Sequence, residues 1–171
     1  MFVPEEISEK KNRVRKLLEA LNLDAVYLKK SSNFSWITGG GYNIVGMATE
    51  LGVAGILLTR DRGYVICQNI EAPRMEKEEL LAAQGYEIKP FPWYEDQEAG
   101  LVARLGGKAV GADHGLPGTV DISAQINPLR YSLTRWEVER YKEQGRLTAL
   151  AAEETARDIR PGDTERAVIG R

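Results

Sequence analysis

Two apolar runs of strand length, Val53 to Thr59 (VAGILLT) and Tyr64 to Gln68 (YVICQ), stand on either side of Arg60-Asp61-Arg62-Gly63. That spacing predicts a β-hairpin, with Gly63 supplying the unusual backbone angle of its turn. Every other strand candidate alternates with helical sequence. One hairpin embedded in such an alternation predicts an α/β layer domain with a mixed β-sheet flanked by helices.

The helices and remaining strands follow from periodicity and caps. Val14, Leu17, Leu18 and Leu21 fall at i, i+3, i+4 and i+7, the stripe of an amphipathic first helix ending near Asn22. Asp24 to Lys29 (DAVYLK) reads as a strand, and Ser31 or Ser32 as the cap of a helical turn running to Trp36, closed by Gly39-Gly40-Gly41. Asn69 is expected to cap a helix through Ala83, stopped by Gly85 before a strand from Tyr86 to Pro90. Further on, Gln97 to Leu105 reads as helix, Lys108 to Ala112 as strand, Val120 to Ile126 as a short helix and Leu129 to Leu133 as extended. Thr134 and Glu137 form a capping box that opens the longest helix, to about Ile159. Its face of Trp136, Tyr141, Thr148, Ala152, Thr155 and Ile159 lacks an obvious partner before residue 130. The helix reads as the opening element of something else.

Composition narrows the function classes. A formal charge of -2 creates no field that gathers phosphate backbones or anionic lipid, so neither nucleic acid nor membrane is an expected partner. No apolar run approaches the roughly 18 residues of a membrane span, and MFVPEEISEKK is too acidic for a signal peptide, which places the chain in the cytoplasm. Cys67 is the only cysteine, and inside a strand it reads as a small buried hydrophobe rather than a catalytic thiolate.

Several motifs point nowhere catalytic. Gly41 and Gly46 have the first spacing of a phosphate loop, but Met47 and Ala48 stand where lysine and a hydroxyl are needed. His114, the only histidine, has no nucleophile elbow and no companion ligands, and reads as a loop residue. Glu76, Glu78 and Glu79 read as the solvated face of a helix, and Asn69 to Arg74 either as its capped first turn, with Arg74 pairing Glu71, or as a polar patch beside the glycine loop. Phe91-Pro92-Trp93-Tyr94 reads either as a cap on the sheet or as a contact surface, with the cap favoured. No catalytic residue and no metal ligand is assigned within these 171 residues.

Five stretches carry a family resemblance: Asp24-Ala25-Val26-Tyr27-Leu28 after an amphipathic helix; Ser32-Asn33-Phe34-Ser35-Trp36-Ile37-Thr38-Gly39; Leu129-Arg130-Tyr131-Ser132; Trp136-Glu137-Val138-Glu139; and Ile159-Arg160-Pro161-Gly162-Asp163-Thr164-Glu165. In order and spacing they resemble the N-terminal domain of the pita-bread metallopeptidases, namely Xaa-Pro aminopeptidases, prolidases and creatinase. The resemblance implies a ribonuclease-H-like motif over residues 1–130. It also implies that residues 131–171 are a linker and the first helices of a truncated catalytic domain, whose two divalent ions (such as Mn, Co or Zn) are held by residues this chain lacks.

What the resemblance leaves to this chain is an accessory role: a homodimer interface, and a loop lent to the neighbouring subunit's pocket for a proline-containing peptide. The corresponding loop is Gly40 to Met47, with Trp36, Tyr42 and Asn43 as its substrate-proximal residues. It contains no cation, which argues against creatine and for a peptide. The competing readings are a stand-alone small-ligand or protein-interaction module, and the accessory domain of a creatinase-like amidinohydrolase. Fold by itself decides between none of these.

Overall fold

Val3 is extended and Pro4 stands at the first helical position, where its missing N–H costs nothing, so α1 (Pro4–Leu21) starts there. The computed structural model describes residues 2–170, in two compact units divided between Ser132 and Leu133. The helix ends as expected at Asn22, which takes the left-handed conformation (φ 51°). Its buried stripe is Ile7, Val14 and Leu18; Leu21, at the far end, is about one-third exposed (36%).

In the first unit the strands are β1 (Ala25–Lys30), β2 (Leu51–Thr59), β3 (Gly63–Gln68), β4 (Tyr86–Phe91), β5 (Val110–Ala112) and β6 (Val120–Asp121). They form one mixed sheet in the order β4-β3-β2-β1-β5-β6. The hairpin β2–β3 and the pair β1–β2 are antiparallel, whereas β3–β4, β1–β5 and β5–β6 are parallel. The sheet is buried on both faces. Val26, Leu28, Ile56, Leu58, Val65 and Cys67 face one core cluster, shared with Val14 and Leu18 of α1. Ala25, Tyr27, Leu57, Tyr64 and Ile66 face another, closed by Leu101 and Val102 of α4 (Glu98–Gly106). Burial on two sides is why the central strands read as continuous apolar runs.

Local expectations fail at identifiable places. Gly63 does not have a positive φ; the hairpin closes through Thr59, whose N–H donates to the Arg62 carbonyl (2.9 Å) and whose hydroxyl accepts from the Arg62 N–H (3.0 Å). Glycine is needed at 63 because a Cβ there would lie 2.7 Å from the Tyr86 ring. Neither Ser31 nor Ser32 caps α2 (Ser31–Ile37). The helix expected from Asn69 to Ala83 is shorter: α3 covers Ala72–Lys77, and the Asn69 side chain instead accepts from the Trp93 N–H (3.1 Å). It stops early where the Glu79 N–H bonds the Arg74 carbonyl (3.0 Å) and the Leu81 N–H reaches back to the Met75 carbonyl (3.1 Å), a widened last turn that holds Leu80 in the left-handed region (φ 55°).

The stretch Val120–Ile126 is not one helix but strand β6 followed by α5 (Ser123–Ile126), and the segment expected to be extended begins as a 3-10 turn, Asn127–Arg130. In the second unit the capping box is present: Thr134 Oγ1 accepts from the Glu137 N–H, and Glu137 reaches back to the Thr134 N–H. It opens α6 (Arg135–Asp158). After the Pro161-Gly162 turn, Thr164 caps α7 (Glu165–Ile169). No helix among the described residues is long and apolar enough to cross a membrane.

Candidate functional site

The parallel strands all point their carboxyl ends to one edge of the sheet, and the long α2–β2 connection leaves from that edge. Its first turn is built by Thr38. The hydroxyl donates to the Phe34 carbonyl (2.7 Å) and accepts from the Gly41 N–H (3.0 Å). Gly39 and Gly40 take left-handed angles (φ 69° and 115°). Any side chain at Gly41 would strike the Thr38 hydroxyl, 2.6 Å from its Cβ position. The chain is thus turned sharply out of the helix toward Tyr42 and Asn43.

Asn43 closes the neck. Its amide Nδ2 donates to the carbonyls of Ala54 (2.7 Å) and Lys29 (3.3 Å), and its own carbonyl accepts from the Val53 N–H (2.9 Å). These are groups that the β1–β2 ladder cannot pair, because its register breaks between Leu28 and Lys30. On the other side of the neck the Ser31 N–H donates to the Glu50 carbonyl (2.9 Å). Between these two fastenings the tip is open, with Val45 and Met47 exposed at 65% and 89%; Tyr42, just before the first fastening, is exposed at 51%.

Beneath the neck, Asp113 follows the end of β5 fully buried. Its carboxylate accepts from the Lys29 and Lys30 N–H groups (both 3.0 Å), from Asn33 Nδ2 (2.8 Å), and lies 3.1 Å from His114 Nδ1. Burial alone would push this carboxyl up; the hydrogen bonds from His114, Lys29, Asn33 and Lys30 outweigh it and hold Asp113 below the usual carboxylate range. By tying the end of β1 to Asn33 of α2 it fixes the strand-to-helix corner from which the loop departs. Alongside, the Tyr27 hydroxyl donates to Glu98 Oε1 (2.7 Å) and Lys29 pairs with the same carboxylate. Burial, then the Glu98 charge, raises the Tyr27 phenol well above its ordinary value.

The three residues singled out from sequence therefore occupy different environments. Trp36 lies in the core, its ring 5.8 Å from Lys10 Nζ; Asn43 is buried and spends its amide on backbone; Tyr42 presents its ring to solvent. Glu79, read from sequence as helix decoration, and Arg74, read either as the partner of Glu71 or as part of a polar patch beside the glycine loop, both reach the loop. Glu79 Oε2 accepts from the Tyr42 N–H (2.8 Å), and Arg74 Nη1 donates to the Tyr42 carbonyl (3.3 Å). The aromatic segment divides: Phe91 is buried against the sheet, whereas Trp93 and Tyr94 are exposed and meet edge to face at 5.8 Å.

Nothing here fits a two-metal centre. Among the described residues no three His, Cys, Asp or Glu side chains gather as ligands, and the Asp113 oxygens are already taken by protein donors. What the arrangement can do is hold an apolar tip on a rigid neck.

Solved structures share this fold. The Xaa-Pro dipeptidase from Bacillus anthracis superposes with a TM-score of 0.67 at 21% identity, over 95% of this chain and 46% of that one. The prolidase from Pyrococcus horikoshii OT3 gives 0.67 at 19% identity (94% and 46%). The X-Pro aminopeptidase from Thermotoga maritima MSB8 gives 0.65 at 16% identity (92% and 46%). The chain therefore spans a little under half the length of these structures. No curated protein matches it significantly. Residues 10–130, which hold the whole sheet and the fastened loop, match the family model described as Creatinase/Prolidase N-terminal domain, and the chain belongs to this family.

Proposed function

We propose that this chain is the dimerisation and substrate-positioning domain of an Xaa-Pro aminopeptidase- or prolidase-like metallopeptidase, acting beside a catalytic domain that holds two divalent ions. The ions would supply a bound hydroxide as nucleophile; no residue of this chain is assigned to them. The observation that carries the reading is the loop between Asn43 and Glu50. Its neck is fastened to both strands while its apolar tip, Val45 and Met47 with Tyr42 beside them, projects into solvent. A surface patch of that kind suits an apolar peptide side chain or a proline ring. Arg74 beside the loop is paired with Glu71 (2.9 Å) and Lys30 with Glu50 (3.2 Å), so among the described residues neither of these cations is free to clasp a creatine carboxylate.

The test is a comparison of the enzyme in which this domain is joined to its catalytic half with the same enzyme carrying Tyr42→Ala and Met47→Ala. Hydrolysis of Xaa-Pro dipeptides, a raised KM in the variants and no turnover of creatine are expected. Creatine turnover, or variants indistinguishable from the parent, would overturn the reading. Sedimentation of the same proteins reads out the dimer.

A further inference from the structure

At the loop's root both backbone polar groups of Tyr42 are held by side chains of another segment. Its N–H donates to Glu79 and its carbonyl accepts from Arg74. Arg74 is in turn steadied by Glu71 through Nε (2.9 Å). All three carboxylate and guanidinium groups come from one segment: Glu71 at the N-cap of α3, Arg74 within the helix and Glu79 in the turn that leaves it. That turn is strained: Leu80 holds φ 55°, a conformation that disfavours a side chain of its kind. The Leu80 turn ends the helix at Lys77 and leaves Glu79 partly buried beside the loop instead of on an exposed helical face. Strain maintained next to a functional loop is the kind of observation from which a role can be argued.

The next residue, Asn43, is locked to the sheet. Residues 42 and 43 are thus fixed, and the other exposed apolar side chains, Val45 and Met47, lie beyond the fastenings. We infer that Glu79 and Arg74 are positioning residues that fix the backbone of Tyr42 and so aim its exposed ring, a role that rests on the reading of this loop as a substrate-positioning element. A group aimed in advance loses less freedom when a substrate arrives, so the effect belongs in KM rather than in kcat.

Two measurements test it. In this chain, amide hydrogen exchange should show the Tyr42 N–H protected relative to Val45. Glu79→Ala should speed its exchange about tenfold, and Glu79→Gln, whose amide oxygen still accepts, should restore protection. In the enzyme carrying its catalytic half, Glu79→Ala and Arg74→Ala should raise KM for an Xaa-Pro dipeptide about three- to tenfold, with kcat within twofold and Glu79→Gln near the parent. An unprotected Tyr42 N–H in the parent, or a freed loop with KM unchanged, overturns the inference. Tyr42→Ala separates the two failures: if it raises KM while Glu79→Ala does not, the positioning role falls and the loop's function stands; if neither moves KM, the functional reading falls as well.

Discussion

The Asn43 side chain occupies the space that Gly52 leaves empty: a Cβ on Gly52 would lie 2.1 Å from Asn43 Cγ. One residue closes the loop and the other, in the strand it closes onto, exists to let it in. The same device recurs three residues later, where a Cβ on Gly55 would lie 2.3 Å from the Tyr27 hydroxyl. Two glycines in an otherwise apolar strand are places where a neighbour enters the sheet, not weaknesses in it.

Gly52→Ala should therefore destabilise the domain by about 1–3 kcal/mol through overpacking. Asn43→Ala should cost about 1–3 kcal/mol by stranding the Ala54 and Lys29 carbonyls. The two changes should not add. With the amide gone, the alanine at 52 has room, and the double mutant should be more stable than the sum predicts by about 1 kcal/mol or more. Urea denaturation of the four proteins measures this, and strict additivity would show that the two side chains do not share the space.

Asp113 makes stability depend on acid. Its folded-state pKa lies below the ordinary carboxylate value, so the stabilisation is complete above the unfolded value of 3.8 and is lost as pH falls through the lower folded value. Asp113→Asn should cost about 1.5–3 kcal/mol at neutral pH, because an amide cannot accept from the Lys29, Lys30 and Asn33 donors together. The difference between the two proteins should shrink below about pH 4. A constant difference from pH 7 to pH 2.5 in denaturation midpoints would contradict the assignment.

How much of this was legible follows from the range of each interaction. The capping box at Thr134 and Glu137, the stripe of Val14 and Leu18, and the hairpin strands depend on residues within a turn or two, and each stands where periodicity put it. Asp113 meets Lys29 across 84 positions of sequence, so nothing local marked it as the residue that fixes the corner between β1 and α2. Gly63 misled for a related reason: its glycine answers the Tyr86 ring, a long-range neighbour, not the turn beside it. Glu79 was hidden because the stop signal was a leucine. A left-handed helix ending announces itself when it is glycine or asparagine, and Leu80 gave no such notice.

Cys67 should be inert in the folded protein. Burial, with a smaller contribution from the Glu71 charge, pushes its thiol up to about 12. At pH 8 that leaves a thiolate fraction of about one in ten thousand, against roughly a quarter for an ordinary cysteine. Labelling by a thiol-disulfide reagent should therefore follow unfolding, accelerating in urea along the denaturation curve. Rapid labelling without denaturant would show that β3 opens at Cys67.

The strain at Leu80 can be measured by comparing two substitutions that remove the same side chain. Leu80→Ala and Leu80→Gly both lose the leucine's partial burial, but alanine must still hold a φ near 55° whereas glycine adopts it freely. In a helix interior alanine is the more stable by about 1 kcal/mol. At position 80 the order should reverse, with glycine more stable than alanine by about 1 kcal/mol, because the left-handed penalty for a side chain outweighs glycine's extra freedom in the unfolded chain. The glycine variant should also keep the Glu79 to Tyr42 hydrogen bond, so its Tyr42 amide should exchange as slowly as in the parent. An alanine variant as stable as the glycine one would mean that the turn relaxes out of the left-handed region, and that the conformation of Leu80 does not hold Glu79 against the loop.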